Sequence, residues 1–179
     1  MSRSTKLDVK ALWQRQEWRF LVLFLLILTV SFTVIALQPV NDAVVDPYTG
    51  FVARMSGAAL RLFGEDITVD GCDLRSPRFS VTIYNGCNGL ITSLIFISGV
   101  LAFPASWRAK AVGAVGGLLA IQVINMVRIV SLFYIGVYFP QYFSQSHIFV
   151  WQSIVILAGV TLWIVWAHNA VPPARNPAE

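Results

Sequence analysis

The chain reads as an all-α integral membrane protein with about four transmembrane helices, carrying a short extracytoplasmic amphipathic helix and a β-hairpin between the first and second. Three observations predict this. Of 179 residues, 56% are hydrophobic and 12% charged, with a mean hydropathy of +0.68, which leaves too little polar residue to coat a water-soluble globule. Apolar runs recur at lengths that match the hydrocarbon core of a bilayer. The cations are also sorted by position: with four crossings, eight of the twelve Lys and Arg residues outside the spans fall on one side, and Arg128 is the thirteenth.

Residues 1–19 are a basic N-terminus, with Arg3, Lys6, Lys10, Arg15 and Arg19 ahead of the first apolar run, and read as a cytoplasmic flank. The first span is 20–37, free of charge from Phe20 to Leu37. It exceeds the apolar region of about 7–15 residues found in a signal peptide, and no small-x-small site follows in Gln38-Pro39-Val40.

Residues 38–87 change character and form an extracytoplasmic segment rich in Asp and Arg. Val44, Tyr48, Phe51, Val52, Met55, Ala59, Leu62 and Phe63 fall at helical spacing, with Arg54 and Arg61 off that face, a pattern suited to a helix lying on the bilayer surface. Gly64 is a plausible stop. Beyond it Ile67 and Val69, a turn-rich stretch from Asp70 to Pro77, and alternating Phe79, Val81 and Ile83 predict a hairpin leading to Cys87.

Residues 88–167 hold three further spans. The first, Leu90 to Phe103, is short unless Cys87-Asn88-Gly89 and Pro104 to Trp107 extend it. A basic loop with Arg108 and Lys110 precedes the long run Ala111 to Phe139, interrupted by Arg128, and the last span is Ile148 to Ala167. Gly113 and Gly117 make a small-xxx-small pair suited to close helix approach. Residues 168–179 form a cytoplasmic tail with Arg175.

This topology brings three reactive side chains to one depth. Cys87 precedes the second helix, where the positive end of the backbone dipole lowers a thiol's pKa. The N–H groups of Asn88, Gly89 and Leu90 could receive an oxyanion there, and Gly86 and Gly89 would admit a substrate backbone. A free Cys is otherwise often simply buried. Arg128 lies about 25 Å along the third helix, where a charge either marks a functional cavity or snorkels to the interface. Gln122 and Asn125 precede it at three-residue steps, a polar stripe that favours a pocket. His147 starts the fourth helix, tethered by the short Pro140–Ser146 loop; a Cys-His pair makes a thiolate at neutral pH, although an interfacial His beside aromatic residues is also an ordinary belt residue. His168 sits at the opposite end of that helix and takes no part.

Asn85-Gly86-Cys87-Asn88-Gly89, then Asn125-Met126-Val127-Arg128, then His147 at a helix start resemble the exosortase/archaeosortase family. The likeness runs from about Phe79 to the end of the fourth span, and Ser98-Gly99-Val100-Leu101-Ala102-Phe103-Pro104-Ala105 looks most like the exosortase H branch. The resemblance implies a multi-pass cysteine peptidase/transpeptidase of the bacterial cytoplasmic (inner) membrane, its active site on the extracytoplasmic side. It would cut C-terminal sorting tails, of an Ile-Pro-Thr-Leu type in the exosortase H branch, from exported proteins. Residues 88–167 would be its catalytic core. The family's Cys, Arg and His carry over to Cys87, Arg128 and His147, with Asn88, Gly89, Asn125 and Gln122 as substrate-binding candidates.

Two other readings stay open at this point. A noncatalytic membrane scaffold subunit explains the hydrophobicity and small-residue packing but not the three converging side chains. A thiol redox protein using Cys72 and Cys87 suits an oxidising compartment, but the Cys-x-x-Cys pair of such proteins is absent. No phosphate loop, zinc-ligand cluster or nucleic-acid motif appears, so no cofactor, metal or nucleic acid is expected; the partners are membrane lipid and, as the resemblance implies, exported proteins.

Overall fold

The structure, a computed structural model, describes residues 15–170; Arg3, Lys6 and Lys10 of the basic N-terminus and Arg175 of the tail lie outside them. Helix α1 (Gln16–Ala36) is 21 residues long with none buried; Phe20, Leu23, Phe24, Ile27, Leu28, Phe32 and Ile35 are half-buried along one side, which packs on the helix Leu90–Ala102, and the other side is exposed. Near its start the packing is aromatic: the Phe20 ring sits 5.6 Å from Trp163 and 6.2 Å from Phe103.

After α1 the chain turns through Gln38–Val40 and a π-helical stretch, Asn41–Val45, into α2 (Asp46–Leu62). The eight apolar positions expected to form one surface-lying face divide between two. Val52 is buried with Ala53, Leu60, Thr49, Gly50, Ser56 and Gly57, while Phe51, Met55, Leu62 and Phe63 are exposed. Small residues on the packed side explain the split: they let the sheet approach α2 closely, and the larger apolar side chains are left on the opposite side.

The sheet has three strands rather than the two of a hairpin. β1 (Thr68–Asp70), β2 (Asp73–Arg75) and β3 (Ser80–Thr82) are antiparallel in the order β1-β2-β3. β2 escapes a sequence reading because Asp73-Leu74-Arg75 contains one apolar residue. That residue, Leu74, is fully buried, and Arg75 pairs with Asp73 at 3.0 Å and Asp70 at 3.3 Å. In β3 the expected alternation is present: Ile83 is buried and Phe79 and Val81 half-buried, whereas Ser80 is exposed. These side chains join Val52, Ala53, Leu60, Ile129 and Phe133 in one core between α2, the sheet and the far end of α4.

Helix α3 (Leu90–Ala102) has 13 residues, about 20 Å at 1.5 Å per residue against a hydrocarbon core of about 30 Å. Helix α4 (Trp107–Tyr138) has 32 residues and is capped by Ser106, whose hydroxyl accepts from the Ala109 N–H at 3.3 Å. A 3-10 turn (Pro140–Tyr142), a helical turn (Phe143–Gln145) and a π-helical stretch (Ser146–Trp151) lead into α5 (Gln152–Ala170). Among the described residues three helical segments are long and apolar enough to cross a membrane, Gln16–Ala36, Trp107–Tyr138 and Pro140–Ala170; α3 is shorter than that.

The glycine pair on α4 works as close packing requires. A Cβ at Gly113 would overlap the Trp166 indole and one at Gly117 the Phe96 ring, so α5 and α3 lean their largest side chains into the space two missing side chains leave.

Candidate active site

Cys87 is delivered by a turn. Its N–H donates to the Tyr84 carbonyl at 2.9 Å, and Gly86 at the third position has φ +98°, a conformation L side chains rarely adopt. Gly89 repeats the device at φ +79°, where a Cβ would stand 3.0 Å from the Gln122 amide and 3.2 Å from that of Asn125. The two glycines therefore bend the chain on either side of the thiol, and α3 begins only at Leu90.

Polar side chains on both sides of Cys87 tie it to α2 and the stretch before it. The Asn85 amide donates to the Asn41 side-chain oxygen at 2.9 Å. Fully buried Asn88 donates to Thr49 Oγ1 at 2.8 Å and accepts from the Leu90 N–H at 3.0 Å. Tyr48 donates its hydroxyl to the Asn88 carbonyl at 3.3 Å and accepts from Gln122. Because the Asn88 side-chain oxygen accepts from it, the Leu90 N–H is occupied, and it is not free to receive an oxyanion as the sequence suggests.

Three groups meet at the thiol. Cys87 Sγ lies 2.8 Å from His147 Nε2, Arg128 Nη2 lies 3.1 Å from the same nitrogen, and Arg128 Nη2 is 3.9 Å from Sγ. Arg128 is 2% exposed, so its charge faces protein and not lipid; its Nε has no hydrogen-bond partner among the described residues. His147 belongs to the π-helical stretch, a distortion that often marks functional positions, and its ring stacks on Phe143 at 6.3 Å and 2°. Burial pushes the Cys87 thiol above its ordinary pKa, opposed by the Arg128 charge and the Tyr84 hydrogen bond. The helix-dipole expectation of a lowered pKa thus gives way to desolvation, because the thiol stands two residues ahead of the helix cap and inside the protein.

The thiol opens on a cavity of about 320 Å³ lined by Phe79 to Tyr84, Cys87, Arg128, Ile129, Leu132, Phe143 and His147. Asn88, Gly89, Asn125 and Gln122 do not line it; they pack behind Cys87. Asn125 is 1% exposed, with neither amide atom paired among the described residues. Cys72 and Cys87 are both free, and no cluster of metal-ligating side chains occurs among the described residues.

The transmembrane exosortase family model matches residues 9–167. The chain belongs to the exosortase family. No curated protein and no solved structure matches it. In this exosortase chain the three reactive residues predicted from topology come together; the structure adds Asn41, Tyr48 and Thr49, whose polar groups hold the cysteine turn, and the stacking of Phe143 on the histidine. Asn88 beside Cys87 is the available signal: a buried Asn demands partners, and it finds one in Thr49.

Proposed function

We propose that this exosortase is a membrane-embedded cysteine peptidase/transpeptidase that removes C-terminal sorting tails from exported proteins through an acyl-thioester on Cys87. The contact of Cys87 Sγ with His147 Nε2 at 2.8 Å, inside a cavity walled by Arg128, carries the reading. A guanidinium only donates hydrogen bonds, so in this reading Nε2 is the acceptor and the resting pair is thiol and neutral imidazole.

On substrate binding the Sγ proton passes to Nε2, and Sγ forms a bond to the carbonyl carbon of the scissile peptide. The imidazolium then gives its proton to the departing amine as the C–N bond breaks, leaving the thioester. Arg128, no longer accepted by Nε2, turns its donors to the sulfur or to the tetrahedral oxygen, where a buried cation is worth most. Water or an amine, alcohol or other nucleophile then takes the acyl group.

The same reading gives a cytoplasmic N-terminus and four crossings, with α3 completed by the turn that precedes it at one end and by Pro104–Trp107 at the other. The cavity would then open on the outer side of a bacterial inner membrane. An Ile-Pro-Thr-Leu type tail, as the likeness to the exosortase H branch implies, is the first substrate to try. Asn88, Gly89, Asn125 and Gln122 act as positioning residues behind the nucleophile.

The test is co-expression with an exported reporter carrying such a tail. Cys87→Ala and His147→Ala should each leave the protein in the membrane and abolish tail removal. Processing retained in Cys87→Ala would overturn the reading.

A further inference from the structure

The cavity beside Cys87 has an unusual wall: six consecutive residues, Phe79 to Tyr84, which include all of β3. β3 is an edge strand, since the sheet runs β1-β2-β3. Its pairing with β2 fixes which backbone groups are spent. The Ser76 N–H donates to the Phe79 carbonyl at 3.2 Å and the Ile83 N–H to the Cys72 carbonyl at 2.9 Å, and Leu74 is opposite Val81. Antiparallel bonding alternates along a strand, so Phe79, Val81 and Ile83 bond to β2, while the N–H and C=O groups of Ser80 and Thr82 point to the free edge.

Folded proteins usually blunt such an edge with charge, proline or a covering element. Here Phe79 to Tyr84 carry neither charge nor proline, and the free edge borders a cavity that ends at the nucleophile. The opposite wall is Arg128, Ile129, Leu132, Phe143 and His147, apolar except for the two reactive groups. An extended chain laid along β3 would satisfy its open backbone groups, place side chains alternately against Ile129 and Leu132 or toward the outside, and meet Cys87 just past the Tyr84–Cys87 turn.

We infer that the substrate tail is held by strand addition: its segment next to the scissile bond pairs as a fourth strand with the free edge of β3, through the backbone groups of Ser80 and Thr82. This rests on the peptidase reading above and adds how that site takes its substrate. Backbone pairing makes binding tolerant of sequence, with side-chain selection left to alternate residues.

The experiment uses the full-length protein in detergent and a synthetic tail peptide, with kcat/KM measured for a series in which one backbone amide at a time is N-methylated. Strand addition predicts an alternating profile: methylation at amides facing β3 lowers kcat/KM about ten-fold or more, and methylation at the intervening amides changes it little. On the enzyme side Ser80→Pro removes one edge N–H without touching a β2–β3 bond and should give a similar loss. A profile without alternation, in an enzyme that cuts the unmethylated peptide through Cys87, would overturn strand addition and leave the peptidase reading intact. Because the methylated peptides are tested on the wild-type enzyme, they decide the matter even if Ser80→Pro fails to fold. Absence of any cutting dependent on Cys87 removes the peptidase reading, and strand addition with it.

Discussion

At Cys87 two effects oppose each other. Burial pushes the thiol above its ordinary pKa, and the Arg128 guanidinium pulls it back without fully offsetting the shift. A raised pKa means that the thiol predominates at neutral pH and that the thiolate fraction grows as pH rises through and beyond the free-thiol value of about 8.5. Alkylation of Cys87 by a small iodoacetamide should therefore be slower at pH 7.5 than that of a free thiol and climb steadily to higher pH. Arg128→Gln should move the climb higher still, which a pH series read by mass spectrometry would register; a rate independent of pH would contradict this electrostatic account. At this scale Cys87, Arg128 and His147 were legible because each is chemically costly or uncommon at its place. A charge in an apolar run and a thiol between glycines at a helix start need a reason. Tyr48, Thr49 and Asn41 were not legible, because they are ordinary residues of an amphipathic segment until Asn85 and Asn88 are brought against them.

At the scale of elements, α2 is what holds the nucleophile still. Asn88→Ala would leave the Leu90 N–H without its acceptor and take the Asn88 donor from Thr49, at about 1–3 kcal/mol for buried groups left unpaired. Tail removal should fall with it, because a loosened Cys87 turn misplaces Sγ relative to Nε2; thermal unfolding in detergent and the cleavage assay read the two effects separately. The helices were readable from hydropathy and β3 from its alternation, yet β2 was not, since a strand of three residues with one apolar side chain has no period to detect. The faces of α2 differ from the expected ones for a related reason. Spacing identifies where large apolar residues fall, but the packed side was chosen by Gly50, Ala53 and Gly57, whose small size matters only once the sheet lies against them.

For the whole molecule, α2 and the sheet make one packed core that fixes the thiol, while α3, α4 and α5 interlock through glycine and aromatic side chains; the proposed topology sets the first outside the bilayer and the second within it. Gly117→Leu should therefore destabilise the bundle by about 1–3 kcal/mol or more through overlap with Phe96, seen as earlier thermal unfolding in detergent. Exposed Phe51, Met55 and Leu62 of α2, with Phe63 just past its end, suit a bilayer surface. The four-crossing topology predicts that Cys72, in a Cys87→Ala background, is labelled in intact spheroplasts by a maleimide that cannot cross the inner membrane. Protection of Cys72 until the membrane is opened would reverse the orientation. The central claim, an acyl-thioester on Cys87, is tested most directly by adding hydroxylamine during tail cleavage and weighing the new C-terminus of the reporter by mass spectrometry. The account predicts a hydroxamate in the wild type and no cut end in Cys87→Ala; the same cut end in Cys87→Ala, or a wild-type end that never carries the hydroxamate, would contradict it.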